Sequence, residues 1–295
     1  MSLTEDDVSY EDGQLQLPDG RMLAWRWWGE PGSTPILRLQ GTPGSRLFRH
    51  PDPGIQRSLG VRYLMADRPG FGGSTRLPGR GVADISEDLA ALLDHHQLGR
   101  VPVMGTSGGG PHALAIAARH PERITAVSVI AGASPLEPGE VSRLGWANAA
   151  GYAAAERGWE ALHQLEVEVR GRILGEEGMA GIGSDLPAED RAIMQDPAWQ
   201  SMGRAQTAEA LRQGAEGWTD ESMALHGDWD FDLEAVEATV TWWHGDDDMN
   251  APLAAARRAA ARLRRADLRV WHHEGHFASV THEAEIVREL LSRSG

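Results

Sequence analysis

Short apolar runs and amphipathic helix-like runs alternate along most of this chain, and that alternation constrains its fold more than any single residue does. ILRLQ (36–40), VRYLMAD (61–67), VPVMG (101–105) and ITAVSVIAG (124–132) read as strands. Residues 82–98 place apolar side chains at 82, 85, 89, 92 and 93 ahead of Gly99, the spacing of an amphipathic helix with a glycine stop. A second helix is expected from Gly108 to Arg119, ended by His120-Pro121. Strands that alternate with helices predict a mostly parallel sheet with helices on both faces, an α/β fold. Ahead of them, QLQLP and RMLAWRWWG flank the turn signal Pro18-Asp19-Gly20 and predict a hairpin. The rhythm stops over 134–228, where helix-like pieces (140–157, 159–174, 187–195 and 204–214) succeed one another without a convincing strand. It resumes with ATVTWWHG (238–245), a helix at 252–263, LRVWHH (268–273) and a final helix at 279–292. The expectation is a core of residues 1–133 and 229–295 with a helical insertion at 134–228, a plan that suits 295 residues.

Composition removes several classes of chemistry. The chain has no cysteine, which excludes disulfides, thiolate catalysis and cysteine-held metals. Its 28 Lys and Arg residues are all arginine, so there is no amine for a Schiff base or a pyridoxal phosphate anchor. A formal charge of −15 opposes binding to a phosphate backbone, and no nucleic-acid partner is expected. The arginines at 257, 258, 262, 264 and 265 read as a solvated helix face. MSLTEDDVSYEDGQ has neither the basic nor the apolar region of a secretory signal, and no apolar run is long enough to span a bilayer. A cytoplasmic location without a membrane partner is the expectation. The oligomeric state is left open, a homodimer included.

Gly105-Thr106-Ser107-Gly108-Gly109 stands where a strand gives way to a helix. That context matters, because Gly-x-Ser-x-Gly alone is a weak signal in a chain with 35 glycines. A strand-to-helix turn this tight strains the serine backbone, and glycines on either side remove collisions with neighbouring elements. It lifts the serine hydroxyl to the carboxyl edge of the sheet, in front of the N–H groups of the following helix. The alternative is a glycine-rich turn without chemistry. A phosphate loop of the G-x-x-x-x-G-K-[ST] type is excluded by the missing lysine.

A serine hydroxyl needs a base, and the base needs a carboxylate to orient it. Two late segments supply them in the order Ser, acid, His. One is Trp242-Trp243-His244-Gly245-Asp246-Asp247-Asp248-Met249-Asn250-Ala251-Pro252; the other is His273-Glu274-Gly275-His276-Phe277. Both follow predicted strands and leave the sheet at the elbow's edge. With Gln40-Gly41-Thr42-Pro43-Gly44-Ser45-Arg46 and Asp67-Arg68-Pro69-Gly70-Phe71-Gly72-Gly73-Ser74, these motifs make the chain resemble the α/β-hydrolase-fold serine hydrolases. The resemblance is to their capped esterase and proline-iminopeptidase-like branch, and it covers about 1–133 and 229–295.

The resemblance implies Ser107 as nucleophile. The family spacing G-x-x-D-x-x-x-P, fixed by Gly245 and Pro252, selects Asp248 as the acid over Asp246 and Asp247. The glycine-preceded position after the last strand selects His276 over His244, His272, His273 and His282. The oxyanion hole would be formed by the backbone N–H groups of Thr42 and Gly108. Many relatives carry histidine at the position of Gln40. The 67–74 loop is expected to support the elbow and border the pocket. Serine at the elbow argues against the aspartate-nucleophile dehalogenases and epoxide hydrolases of this fold.

The family places a helical cap where residues 134–228 lie, and a cap excludes water and shapes the pocket. Gly41, Trp146 and Trp159 are assigned to substrate binding; each of the cap tryptophans 146, 159, 199 and 218 can also pack cap helices onto the core, with one or two of them lining the pocket. GRILGEEGMAGIG (171–183) reads either as a lid or as a surface loop. The implied activity is hydrolysis of a carboxylic ester of a small molecule, with no cofactor and no metal. An iminopeptidase-like aminopeptidase is the alternative, for which the cap offers Glu156, Glu160, Glu166, Glu168, Glu176 and Glu177. Carbon–carbon bond hydrolysis, perhydrolysis, a non-hydrolytic use of the triad and a binding protein with idle residues also stay open.

Overall fold

The computed structural model describes residues 9–295 apart from 138, 176, 177 and 179–185; the Trp146 side chain also lies outside the described residues. The strands are β1 (Tyr10–Gln16), β2 (Met22–Trp28), β3 (Thr34–Leu39), β4 (Val61–Ala66), β5 (Val101–Thr106), β6 (Ile124–Ile130), β7 (Thr239–Gly245) and β8 (Ala266–Trp271). They form one eight-stranded sheet in the order β1-β2-β4-β3-β5-β6-β7-β8. β1 and β2 run antiparallel as the predicted hairpin, β2 is antiparallel to β4, and every other pairing is parallel.

Neighbouring residues on one strand point to opposite faces. Leu37, Val103 and Trp242 pack in one layer with α2 (Ile85–His95), α3 (Gly109–Arg119) and α9 (Leu253–Ala261). Their neighbours Ile36, Met104 and Trp243 pack in the other, with α10 (Glu283–Ser292) and beside α1 (Pro53–Leu59). Burial on both faces is why the central strands read as continuous apolar runs rather than as alternating ones.

The register builds the site. Leu39 pairs with Gly105, Thr106 with Ile130, Ile130 with Trp243, and Gly245 with Trp271. The carboxyl ends of β3, β5, β6, β7 and β8 therefore lie level, and the loops that follow them converge on one edge, where ligands gather in parallel α/β sheets.

Between β6 and β7 the described residues form α4 (Trp146–Ala155), α5 (Trp159–Leu174), α6 (Ala188–Gln195), α7 (Pro197–Ala210) and α8 (Glu216–His226), with no strand. α7 starts earlier than the periodicity suggests. Asp196 caps it by accepting from Ala198 and Trp199 N–H at 2.8 and 3.1 Å, and Pro197 fits its first turn. Neither α1 nor α8 is expected from the sequence periodicity. α8 buries Thr219, Asp220, Glu221 and Ser222, so polar residues interrupt the apolar stripe that would announce a helix. Most of 171–183, read as lid or loop, lies outside the described residues. No helix among the described residues is long and apolar enough to cross a membrane.

Candidate active site

Ser107 sits at the turn between β5 and α3 with a φ of +53°, a left-handed value that side-chain-bearing residues seldom hold. Its N–H donates to Ile130 O at 2.9 Å, and its carbonyl accepts from Gly110 and Ala133 N–H at 2.9 and 3.1 Å. A Cβ on Gly105 would run into the Gly109 carbonyl, and one on Gly109 into the carbonyls of Leu39 and Gln40. Glycine is required at both positions so that β3, β5 and α3 can close around the serine.

The loop after β7 carries Asp248, and the turn after β8 carries His276. Asp248 Oδ2 accepts from His276 Nδ1 at 2.8 Å, while Oδ1 accepts from the N–H groups of Asn250 and Ala251, each at 2.8 Å. Burial opposes the Asp248 charge, but His276 and these donors outweigh it and hold the carboxyl below its usual range. Burial likewise disfavours the His276 cation, yet the carboxylates of Asp248 and Asp190 raise its pKa above the ordinary histidine value. With Nδ1 engaged by Asp248, Nε2 is the nitrogen left for proton transfer.

The competing residues have other partners. His244 is fully buried under the acid loop, with Nε2 2.7 Å from Ala251 O. His272 pairs with Asp246 at 2.8 Å, and Asp246 also accepts from His273 N–H. His282 contacts Glu274 at 2.9 Å and stacks on Trp271.

Asp190, from α6, was not singled out in the sequence. It is fully buried, and its two oxygens accept the backbone N–H groups of His276 and Phe277, each at 2.9 Å. A Cβ on Gly275 would strike this carboxylate, so the glycine before His276 makes room for it. The helical block thereby clamps the histidine turn directly. Nothing in the spacing of DLPAEDR marks Asp190, because its partners are backbone groups far along the chain.

The loop after β3 lies against the elbow. Gly41 approaches the Ser107 Cβ, and the Gly108 α-carbon faces the Thr42 side chain. Among the described residues, neither the Thr42 nor the Gly108 backbone N–H has an acceptor within the chain. Gln40 donates to Ala66 O at 2.9 Å. Arg68 sets the loop itself: it donates to the carbonyls of Gln40 and Gly41 at 2.6 and 3.0 Å and to Thr42 Oγ1 at 2.9 Å. Thr42 Oγ1 in turn donates to Glu221 on α8 at 2.7 Å. Glu221 is fully buried and pairs with Arg68 at 2.5 Å and with Arg80. Burial disfavours its charge, but the two arginines hold it well below the usual carboxylate range.

Ser107, His276, Thr42, Gly108 and Gly41 line one cavity of about 320 Å³, a size suited to a small organic substrate. Its far walls come from α4, α5, α6, α7 and α8. One assignment needs correction. Trp159 does not line the cavity: its indole N–H donates to Asp220 at 2.9 Å and its ring stacks on His163. Trp218 is a cap tryptophan that does line it. The Trp146 assignment lies outside the described side chains. The 67–74 loop supports the site through Arg68, but none of its residues lines the cavity. Glu166, Ser222 and His226 line it and were not picked out as a group.

A profile described as the alpha/beta hydrolase fold matches residues 34–283. The chain belongs to the α/β-hydrolase fold family. Within it, the chain is 36% identical over 118 residues to a dihydrolipoyllysine-residue acetyltransferase component of an acetoin cleaving system from Pseudomonas putida; the match covers 39% of this chain and 31% of that protein, so the chain spans about a third of that relative's length. It is 27% identical over 267 residues to a probable proline iminopeptidase from Streptomyces coelicolor, covering 83% of this chain and 74% of that one. Among solved structures, a hydrolase from Pseudomonas aeruginosa superposes with a TM-score of 0.69 at 22% identity, over 96% of this chain and 98% of that one. The fold likeness spans the helical block as well as the sheet.

Proposed function

We propose that this α/β hydrolase is a serine esterase acting by acyl transfer. One observation carries the reading: a serine strained to φ +53° at the strand-to-helix elbow opens on the same cavity as a histidine whose other ring nitrogen is held by a buried aspartate. In this reading Ser107 Oγ attacks the ester carbonyl as His276 Nε2 takes its proton. Asp248 fixes the imidazole and balances the imidazolium charge. The unpaired N–H groups of Thr42 and Gly108 receive the oxyanion. His276 then returns the proton to the leaving alcohol, and water, deprotonated by the same histidine, releases the acid from Ser107. No step calls on a metal or cofactor. Residues 134–228 serve as the cap, which keeps bulk water from the acyl-enzyme.

An ester is favoured over an aminoacyl amide by the charges of the cap. An aminopeptidase must hold a substrate ammonium with carboxylate. Here Asp220 is paired with Arg76 at 2.6 Å and Glu221 with Arg68 and Arg80; the cavity-lining Glu166 has no arginine partner, but burial raises it to about 7, so near neutrality it is only partly charged and a weak anchor for an ammonium. The likeness to an iminopeptidase over most of the chain keeps the amide reading as the competitor. Steady-state kinetics on p-nitrophenyl alkanoates and on prolyl and alanyl p-nitroanilides decide between them. The proposal expects ester turnover that Ser107→Ala abolishes and little or no anilide turnover. Faster cleavage of the anilides would replace it with the aminopeptidase reading.

A further inference from the structure

α5 presents Leu165, Val169 and Ile173 to the cavity, and among these apolar residues it places one carboxyl, Glu166. Glu166 is 5% exposed. Its Oε1 accepts from Ser222 Oγ of α8 at 2.6 Å, its Oε2 is buried with no group in hydrogen-bond geometry, and the Thr219 hydroxyl lies near enough to favour its charge. One turn further along α8, on the same face, His226 lines the cavity too. Its ring stacks on Tyr152 at 3.8 Å, and its Nδ1 is buried without a partner. Burial holds this imidazole down to about 4, so it is neutral. The ion pairs of Arg68, Arg76 and Arg80 go to Glu221 and Asp220, and none goes to Glu166. Buried polar groups in folded proteins are almost always satisfied, and two unsatisfied ones on residues that line the cavity call for a partner that enters with the ligand as these side chains turn to meet it.

We propose that Glu166, Ser222 and His226 form a polar subsite in the roof of the cavity that selects esters bearing a neutral hydroxyl group remote from the scissile carbonyl. The proposal rests on the esterase reading above. A hydroxyl is both donor and acceptor, so it can satisfy either group, donating to Glu166 Oε2 or accepting from the His226 tautomer that carries its proton on Nδ1. Burial raises Glu166 to about 7, so near neutrality its carboxyl is shared between charged and uncharged forms. A hydroxyl fits both, accepting from the acid or donating to the carboxylate. An ammonium fits only the carboxylate, and it would have to shed its hydration against a single oxygen among leucine, valine and isoleucine side chains.

The test is a set of matched p-nitrophenyl esters of graded acyl length ending in methyl, hydroxyl or ammonium, with a parallel set carrying the same groups on the alcohol side. Each is assayed for kcat/KM with the wild type, Glu166→Met and Glu166→Gln. At one chain length the wild type should prefer hydroxyl over methyl about tenfold or more, as expected of a hydrogen bond to a charged group. Glu166→Met should bring that ratio close to one, and Glu166→Gln, which keeps an acceptor, should retain part of it. The ratio is taken within each variant, so a general loss of activity or of folded protein cancels. The proposal is overturned if no chain length on either side favours hydroxyl, if the preference survives in Glu166→Met, or if the ammonium esters are preferred. If the wild type cleaves none of the esters, the methyl-terminated ones included, the esterase reading fails and the subsite proposal falls with it. Turnover of the methyl esters without a hydroxyl preference removes the subsite alone.

Discussion

The floor and the roof of the cavity are built to different rules. On the floor, the groups assigned to chemistry are closed against one another: Asp248 uses both oxygens, His276 Nδ1 is engaged, and Arg68 ties down the Gln40 and Gly41 carbonyls and the Thr42 hydroxyl. Among the described residues, the Ser107 hydroxyl and the Thr42 and Gly108 N–H groups are left without a partner there, free for a substrate carbonyl in the proposed reaction. In the roof, Glu166 Oε2 and His226 Nδ1 are buried without a hydrogen bond, on residues that line the cavity among apolar side chains. A floor with fixed valences suits one reaction, because preorganised groups need no rearrangement as charge develops. A roof with open ones suits discrimination among substrates, because a buried polar group left unpaired rejects the wrong ligand.

Variants on each side should separate these roles. The largest effect belongs to the floor: Ser107→Ala should lower ester turnover by about 10⁴-fold or more and leave the circular dichroism spectrum and melting point close to wild type. Asp248→Asn should cost about 10³–10⁴ in kcat, since the tautomer and charge of His276 would no longer be held; a loss below tenfold in steady-state kinetics would contradict that role.

Between floor and roof stands Glu221. Glu221→Gln leaves two buried guanidinium groups short of their counter-charge and should cost about 3–5 kcal/mol in denaturant unfolding. A wild-type midpoint would show that the arginines find other partners. The smallest effect is expected of Asp190→Asn, and its sign follows from the charges. The carboxylates raise the His276 pKa, and the unprotonated base is the active form, so the acid limb of kcat/KM should lie above the ordinary value of about 6.5. Removing the Asp190 charge should move that limb to lower pH, with a kcat change of about tenfold at most. A purely structural clamp would lower the rate without moving the limb.

The same division governs what can be read from the sequence. The elbow, the acid loop and Gly275-His276 are short local patterns whose glycines and spacing follow from backbone geometry, so Ser107, Asp248 and His276 could be picked out and the structure brings them to one edge. The strand and helix periods gave the sheet, with its insertion between β6 and β7. The roof follows no local pattern. Asp190 acts on backbone groups of a distant turn, and Glu221 on arginines far earlier in the chain. α8 escapes the apolar periodicity because its buried face is polar. Trp159 was misassigned because a tryptophan in a cap serves a pocket or a packing interface equally well; only the Asp220 hydrogen bond tells which. Residue type alone cannot separate Glu166 from the other cap glutamates, since its distinction is burial without a counter-ion.

If Ser107 is an activated nucleophile, a fluorophosphonate will find it in the native protein, and peptide mass spectrometry will locate the adduct. A single adduct on Ser107 is expected, absent from Ser107→Ala and strongly slowed in His276→Ala. A folded protein that takes no label, or takes it at another residue, would remove Ser107 from the nucleophile role.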